Sequence, residues 1–182
     1  MKAIQNLEKK LGFSFKGVEK VLFYALLLFG LYILQAMIFT HLPIFGVKPL
    51  LLPVAVMCVA LFEGTAGGGA FGLFAGILCD MSFNQPAIQF TLFLTLLGLS
   101  AGYLFDTVLS TSMPAFIVCT VISLVISAAV QAFPTIVYGN ADMLTVLQVM
   151  LIQTLYSSLF TLPLYYLIRK IAGHSRRRGE IL

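Results

Sequence analysis

Apolar positions along this chain come in long unbroken runs, not in the alternating or one-faced patterns of soluble strands and helices. A bilayer's hydrocarbon core is ~30 Å thick and takes ~20 apolar residues of helix to cross, so such runs predict membrane spans. The run from Val21 to Phe39 is 19 residues long and predicts a first span over about 21–40. His41 to Lys48, with Pro43 and Gly46, reads as an outer loop. Residues 49–62 and 65–80 read as two short spans, each rising only ~21–24 Å, with Glu63 and Gly64 between them. The alternative over 49–80 is one long broken helix, which would leave five spans and put the termini on opposite sides. Residues 81–87, with Asn84 and Pro86, form a second outer loop, followed by span four over about 88–106. Ser110 to Pro114 makes a turn, and span five covers about 115–133. Residues 134–142, with Pro134, Gly139, Asn140 and Asp142, make the third outer loop. Span six covers about 143–168, with Pro163 as a kink. The fold class is therefore an all-α integral membrane protein, a six-helix transmembrane bundle with no soluble domain and no full-length repeat.

Composition sharpens this picture. Apolar residues make up 60% of the 182, charged residues 10%, and the mean hydropathy is +1.01. Soluble domains carry about 45–50% apolar and about 25% charged residues, so there is too little polar side chain here to cover a water-soluble surface. A disordered chain, poor in apolar residues and rich in charge, is excluded by the same figures.

The charges also set the orientation. Lys2, Lys9, Lys10, Lys16 and Lys20 precede the first run and, against Glu8 and Glu19, give segment 1–20 a net charge of +3. Arg169, Lys170, Arg176, Arg177 and Arg178 follow the last run and, against Glu180, give segment 169–182 a net charge of +4. Between them Lys48 faces Glu63, Asp80, Asp106 and Asp142, which leaves 21–168 at −3. Basic residues flanking spans favour the cytoplasmic side, which places both termini there and requires an even number of spans. The chain thus divides into a basic cytoplasmic segment 1–20, a transmembrane bundle 21–168 and a basic cytoplasmic tail 169–182. Within the first segment, Ile4, Leu7, Leu11, Phe15 and Val18 share one helical face, which fits an amphipathic helix at the interface. Gly12 and Gly17 fit a loose basic tail equally well. The pI of 9.1 reads as topology anchors and contacts to anionic lipid, not nucleic acid. The first run is a span and not a cleaved signal peptide, because its charged lead is long and no small-x-small site follows it.

Chemistry-bearing residues are sparse. Cys58, Cys79 and Cys119 lie far apart in apolar context and read as small buried hydrophobes, with no metal or disulfide use. His41 and His174 fall outside the spans, so no Ser/His/Asp set forms within the membrane. No catalytic, cofactor-binding or metal-ligating residue is assigned, and no cofactor. Four acids lie between the first and last spans, where a charge in hydrocarbon costs at least ~2.5–3.5 kcal/mol. Glu63, Asp106 and Asp142 read as solvated at span ends or in a loop. Asp80 either sits solvated near the outer surface, caps span four, meets a partner's base or lines a cleft. Asp80 and Asp106 belong to opposite membrane sides, and no two acids share a depth on neighbouring faces, which argues against a proton relay. Ser123, Ser127, Thr154, Ser157 and Ser158 read as hydrogen-bonding glue between helices.

The most ordered pattern is a row of small residues. Gly68, Gly72 and Gly76 recur every four residues and Asp80 continues the row, all on one helical face. Span four offers Gly98 and Gly102. Small residues let two helical backbones approach, which is how helices pack where apolar burial supplies no drive. With the two spans antiparallel, the glycine pairs come within ~3 Å in depth, which predicts tight packing of spans three and four. These six residues are the candidate helix-packing or partner interface.

Over Pro49 to Gly102 the chain resembles the rod-shape-determining membrane protein family MreD. The resembling elements are Pro49 and Pro53 opening an apolar run, the Glu63–Gly64 turn, the row Gly72-x3-Gly76-x3-Asp80, the loop proline Pro86 and Gly98-x3-Gly102. Ala87 departs from the family, whose members often carry a glycine near that point. The resemblance implies a non-enzymatic scaffold of the bacterial cell-wall elongation (rod) complex in the cytoplasmic membrane. It implies an MreC-like bitopic membrane protein as direct partner, and through it a class B penicillin-binding protein, a SEDS glycosyltransferase and actin-like filaments. A second candidate is the substrate-binding subunit of an energy-coupling-factor vitamin transporter, which shares the size, six spans and cytoplasmic ends. Those subunits carry small-x3-small pairs in the first span, where this chain has Ala25 followed by Phe29. A lipid-acting enzyme would need polar residues clustered at one face, and the sequence clusters none.

Overall fold

The computed structural model describes residues 15–38, 49–83, 88–107, 113–138 and 143–179. The predicted interfacial segment 4–18 falls mostly outside the described residues, as do His41, Lys48 and Asp142. Among the described residues the protein is all-helical. Helix α1 runs Phe15–Ile33 and passes into a π-helical turn, Leu34–Ile38. Then come α2 (Leu51–Phe83), α3 (Gln89–Thr107), α4 (Met113–Tyr138), α5 (Met143–Leu159) and α6 (Thr161–Gly179). Four stretches are long and apolar enough to cross a bilayer: Leu51–Met81, Gln89–Thr107, Met113–Phe133 and Met143–Lys170. Val21–Ala36 is a shorter apolar helix. The chain is a membrane protein built of helices.

Helix α2 is not straight. Gly64 has φ 71° and ψ −164°, a left-handed backbone setting open to glycine and costly for other residues. A Cβ placed on Gly68 would lie 2.9 Å from the Cα of Ala60. Eight residues of unbroken helix would hold these positions ~12 Å apart, so the chain folds back at Gly64 and its two arms run side by side. The first arm (51–63) is the hub of the molecule. Every residue from Leu50 to Leu61 whose side chain is apolar is at most 7% exposed. A helix that is apolar all round must be enclosed on every side, and α2 touches each of the other five helices. Its amino end carries Pro53 in the first turn, where a missing N–H breaks no helical bond.

The prolines place two further features. Pro163 cannot donate to the carbonyl four residues back, and its ring clashes with that carbonyl, which belongs to Leu159. Helix α5 ends at Leu159 and α6 begins at Thr161, with Phe160 between them, so the predicted kink falls where Pro163 requires it. Pro134 behaves differently. The third outer loop is expected from residue 134, but α4 continues through Pro134 to Tyr138. In lipid a helix has no water to replace its own hydrogen bonds, so it tolerates an internal proline instead of unwinding there.

Rings tie four helices together near the Gly64 end. Phe62 of α2 packs on Tyr165 of α6 at 5.5 Å, Tyr165 on Phe116 of α4 at 5.1 Å, and Phe116 on Phe105 of α3 at 6.4 Å between centroids. These separations fall in the favourable range for offset and tilted aromatic pairs.

Candidate functional site

The second arm of α2 (65–83) and α3 form an antiparallel hairpin, and all six residues of the predicted interface lie in it. A Cβ on Gly72 would strike the carbonyl oxygen of Leu94, and one on Gly98 would strike that of Gly68. On Gly76 it would lie 2.7 Å from the carbonyl oxygen of Phe90, and on Gly102 2.6 Å from the amide nitrogen of Thr65. The two backbones are therefore in direct contact along the whole row, with no room for a side chain between them. The register differs from the expectation. Gly72 and Gly76 do not face Gly98 and Gly102: Gly68 meets Gly98, Gly72 meets the backbone of Leu94 and Thr95, Gly76 that of Phe90 and Thr91, and Gly102 that of Gly64 and Thr65.

Asp80 closes one end of the hairpin. Its Oδ1 accepts the Phe90 N–H at 3.0 Å, and its Oδ2 accepts the Thr91 N–H at 2.9 Å and the Thr91 hydroxyl at 2.6 Å. Asp80 thus satisfies the first-turn amides of α3 from across the interface, and its charge lies at the positive end of that helix. Asp106 closes the other end, where its Oδ2 accepts the Thr65 N–H and the Thr65 hydroxyl, each at 3.0 Å. Glu63 Oε1 accepts the Tyr24 hydroxyl at 2.7 Å. Asp106 is exposed, in keeping with the solvated reading, and in addition holds the start of the second arm; Glu63 is half-buried and holds α1 through Tyr24. Asp80 and Asp106 close opposite ends of the hairpin, as the depth reading has it, and only the statement that no two acids share a depth is corrected. The Asp106 carboxylate lies over Gly64, with Oδ2 2.8 Å from the position of a Cβ there, so Glu63 and Asp106 reach the same end of the bundle.

The two ends match because the two helices repeat one pattern. Residues 65–80 read TAGGGAFGLFAGILCD and residues 91–106 read TLFLTLLGLSAGYLFD, identical at seven of sixteen positions 26 residues apart. Threonine opens each unit, aspartate ends it, and G-L-x-A-G-x-L-x-D is common to both. The geometry repeats with the letters. Thr65 pairs with Asp106 as Thr91 pairs with Asp80, and Gly76 meets the start of α3 as Gly102 meets the start of the second arm. Phe71, Ala75 and Cys79 are buried, as are their counterparts Leu97, Ala101 and Phe105. The hairpin is thus a small inverted repeat. A search for full-length repetition misses a 16-residue unit; the shared G-L-x-A-G-x-L-x-D is the signal that finds it.

A second polar group is legible only in Ser157, expected as glue between helices; Gln35, Gln131 and Gln153 are scattered along the chain and give no local sign. Gln35, in the π-helical turn, accepts the Leu51 and Leu52 N–H groups through Oε1 at 3.1 and 3.4 Å. Ser157 Oγ accepts the Leu50 N–H at 2.8 Å and donates to the Gln153 carbonyl at 2.7 Å. Gln153 Nε2 donates to Gln131 Oε1 at 2.9 Å. Gln35 of the π-helical turn and Ser157 of α5 thus satisfy the buried amides at the start of α2, which its own helix cannot do, and Gln153 and Gln131 extend the group to α4. Thr120, Ser123 and Ser127 turn inward on α4 and bond to carbonyls of their own helix. One turn beyond Ser157, the Thr161 hydroxyl is buried with no partner among the described residues. Cys58 and Cys79 are buried free thiols and Cys119 is half-buried.

No protein-family model, no curated protein and no solved structure matches the chain.

Proposed function

We propose that the protein is a non-enzymatic scaffold of the bacterial cell-wall elongation complex, acting through an MreC-like bitopic partner on peptidoglycan synthesis and cell shape. In this reading the chain crosses the cytoplasmic membrane six times, with the fold-back at Gly64 joining two short passes and both termini cytoplasmic. The class B penicillin-binding protein, the SEDS glycosyltransferase and the actin-like filaments are reached through the bitopic partner. The observation that supports it is the use made of the acids. Asp80, Asp106 and Glu63 each hold one helix to another, and the row Gly72-x3-Gly76-x3-Asp80 on which the family resemblance rests forms part of that lock. A hairpin fastened along its length and at both ends presents a fixed outer surface, including Leu73, Ile77, Leu99 and Tyr103, to whatever lies beside it in the bilayer. Because the glycines themselves are covered within the chain, the partner-facing surface is this outer one. The test is photocrosslinking in cells from those four positions. Recovery of a single-span, coiled-coil shape-determining protein supports the scaffold; crosslinks to lipid alone from every position refute it.

The polar group of Gln35, Gln131, Gln153 and Ser157 supports a second reading, the substrate-binding subunit of a vitamin transporter. These side chains converge where such a subunit would need hydrogen-bonding groups near the outer end. Saturable binding of a labelled vitamin by the purified protein, lost in Gln153→Leu, would select this reading over the scaffold.

A further inference from the structure

The bundle is level at one end and stepped at the other. The rings of Phe62, Phe105, Phe116 and Tyr165 set a common floor for α2, α3, α4 and α6. Above that floor the helices rise to different heights. The first arm of α2 rises ~17 Å from Phe62 to Leu51, and α3 rises ~24 Å from Phe105 to Gln89. Helix α4 rises ~30 Å from Phe116 to Ile136, and α6 with α5 rises ~32 Å from Tyr165 to Leu144. The bond from the Leu50 N–H to Ser157 marks the step: α2 starts there, while α5 continues a further ~20 Å to Leu144. The two summits also differ in chemistry. The low one carries the Asp80 carboxylate and Gln89. The tall one exposes Phe133, Ile136, Met143, Leu144 and Leu147, and no charged residue occurs from Met113 to Tyr138 or from Met143 to Leu167.

We propose that the protein sits in a stepped bilayer, gathering lipids of short acyl chain along the α2–α3 hairpin and lipids of longer chain along α4 and α5. No flat slab of hydrocarbon suits both faces. A slab ~30 Å thick, matched to α4 and α5, draws the Asp80 end of the hairpin ~6 Å into hydrocarbon, where charge is costly. A slab ~24 Å thick, matched to the hairpin, leaves the large apolar side chains of the tall summit in water, where their burial is lost. Tilt does not remove the difference, because the Phe62–Tyr165 contact and the Leu50–Ser157 bond hold α6 and α5 to the hub at two levels. A bilayer meets a short span by thinning beside it, at modest cost per ångström, and short chains reduce that cost further. The inference needs neither the scaffold partner nor the cytoplasmic placement of the termini, so failure of either proposal leaves the other standing.

The chain has no tryptophan, so a single one introduced reports its own surroundings. Leu96→Trp on the hairpin and Ile126→Trp on α4 are both at exposed positions ~14–15 Å above the ring floor. Each purified full-length variant is reconstituted with dibrominated phosphatidylcholine of one chain length and unbrominated phosphatidylcholine of the other, about 14 and about 22 carbons. Fluorescence quenching is normalised to that in the brominated lipid alone. Leu96→Trp is expected to favour the short chain about threefold, and Ile126→Trp the long chain about twofold. Leu147→Trp, at the tall summit, is expected to be quenched by brominated lipid and not by aqueous iodide. Shielding of Cys58 and Cys79 from a thiol dye certifies folding. Leu92→Trp and Ile122→Trp, at positions equally open, replace Leu96→Trp or Ile126→Trp should either fail that check. The same preference on both faces, a long-chain preference on the hairpin, or quenching of Leu147→Trp by iodide would each overturn the proposal.

Discussion

Helices α3 and α5 are both apolar, yet they meet the rest of the molecule in opposite ways. Helix α3 buries Phe90, Leu94, Leu97, Gly98, Ala101, Gly102 and Phe105, a small-and-large face keyed into the second arm of α2. Helix α5 buries Gln153 and Ser157, while Leu144, Leu147, Leu151 and Leu155 stand exposed. In water the second arrangement would be inside out. In lipid it is stable, because exposed leucine costs nothing and a buried amide needs a partner. The contrast separates two ways of holding helices in a bilayer: backbone contact through glycine, which tolerates no added atom, and a few side-chain hydrogen bonds, each worth little.

That difference can be broken at graded cost. Because Cys58 and Cys79 are buried, their labelling by a thiol dye on heating reports unfolding of the purified protein. The largest effect is expected from Gly72→Leu or Gly98→Leu, which drive a side chain into the opposite backbone and should cost more than ~3 kcal/mol, leaving little protein with shielded thiols. Gly30→Leu should leave the transition unmoved, since that position is open. Next comes Gly64→Ala, which forces a left-handed alanine for ~1–3 kcal/mol and also displaces the Asp106 carboxylate above it. Asp80→Ala and Asp106→Ala should each cost ~1–2 kcal/mol as lost caps, with Asp80 the larger because it accepts three hydrogen bonds against two. On the other side of the comparison, Gln153→Leu should cost ~0.6 kcal/mol and at most ~1.7, and Gln131→Leu added to it should cost less than the two separately. Leu155→Ala, at 71% exposure, should shift stability by less than ~0.5 kcal/mol. An α5 leucine as costly as a hairpin glycine would erase the distinction.

The hairpin was readable in the letters and the polar group was not, for a physical reason. Four-residue spacing is a local property, so Gly68, Gly72, Gly76 and Asp80 declare a helical face with no knowledge of the partner. The stagger of the two rows depends on how one backbone fills the other's notches, and depth arithmetic does not contain it. Pro163 acts on its own helix and its break at Leu159 follows from covalent geometry. Gln35, Gln131 and Gln153 carry no such local sign. They come together through the fold, and the π-helical turn that aims Gln35 leaves no mark in the residue pattern.

The bond between Ser157 and the Leu50 amide spans 107 residues. During insertion from the amino end, Gln35 is already in place when α2 enters, but the acceptor for Leu50 arrives only with α5. Until then the amide that leads into the central helix lacks its acceptor. A chain truncated before residue 157 therefore leaves the entry to its hub helix unsatisfied, and the fifth of the six helices is the one that completes it.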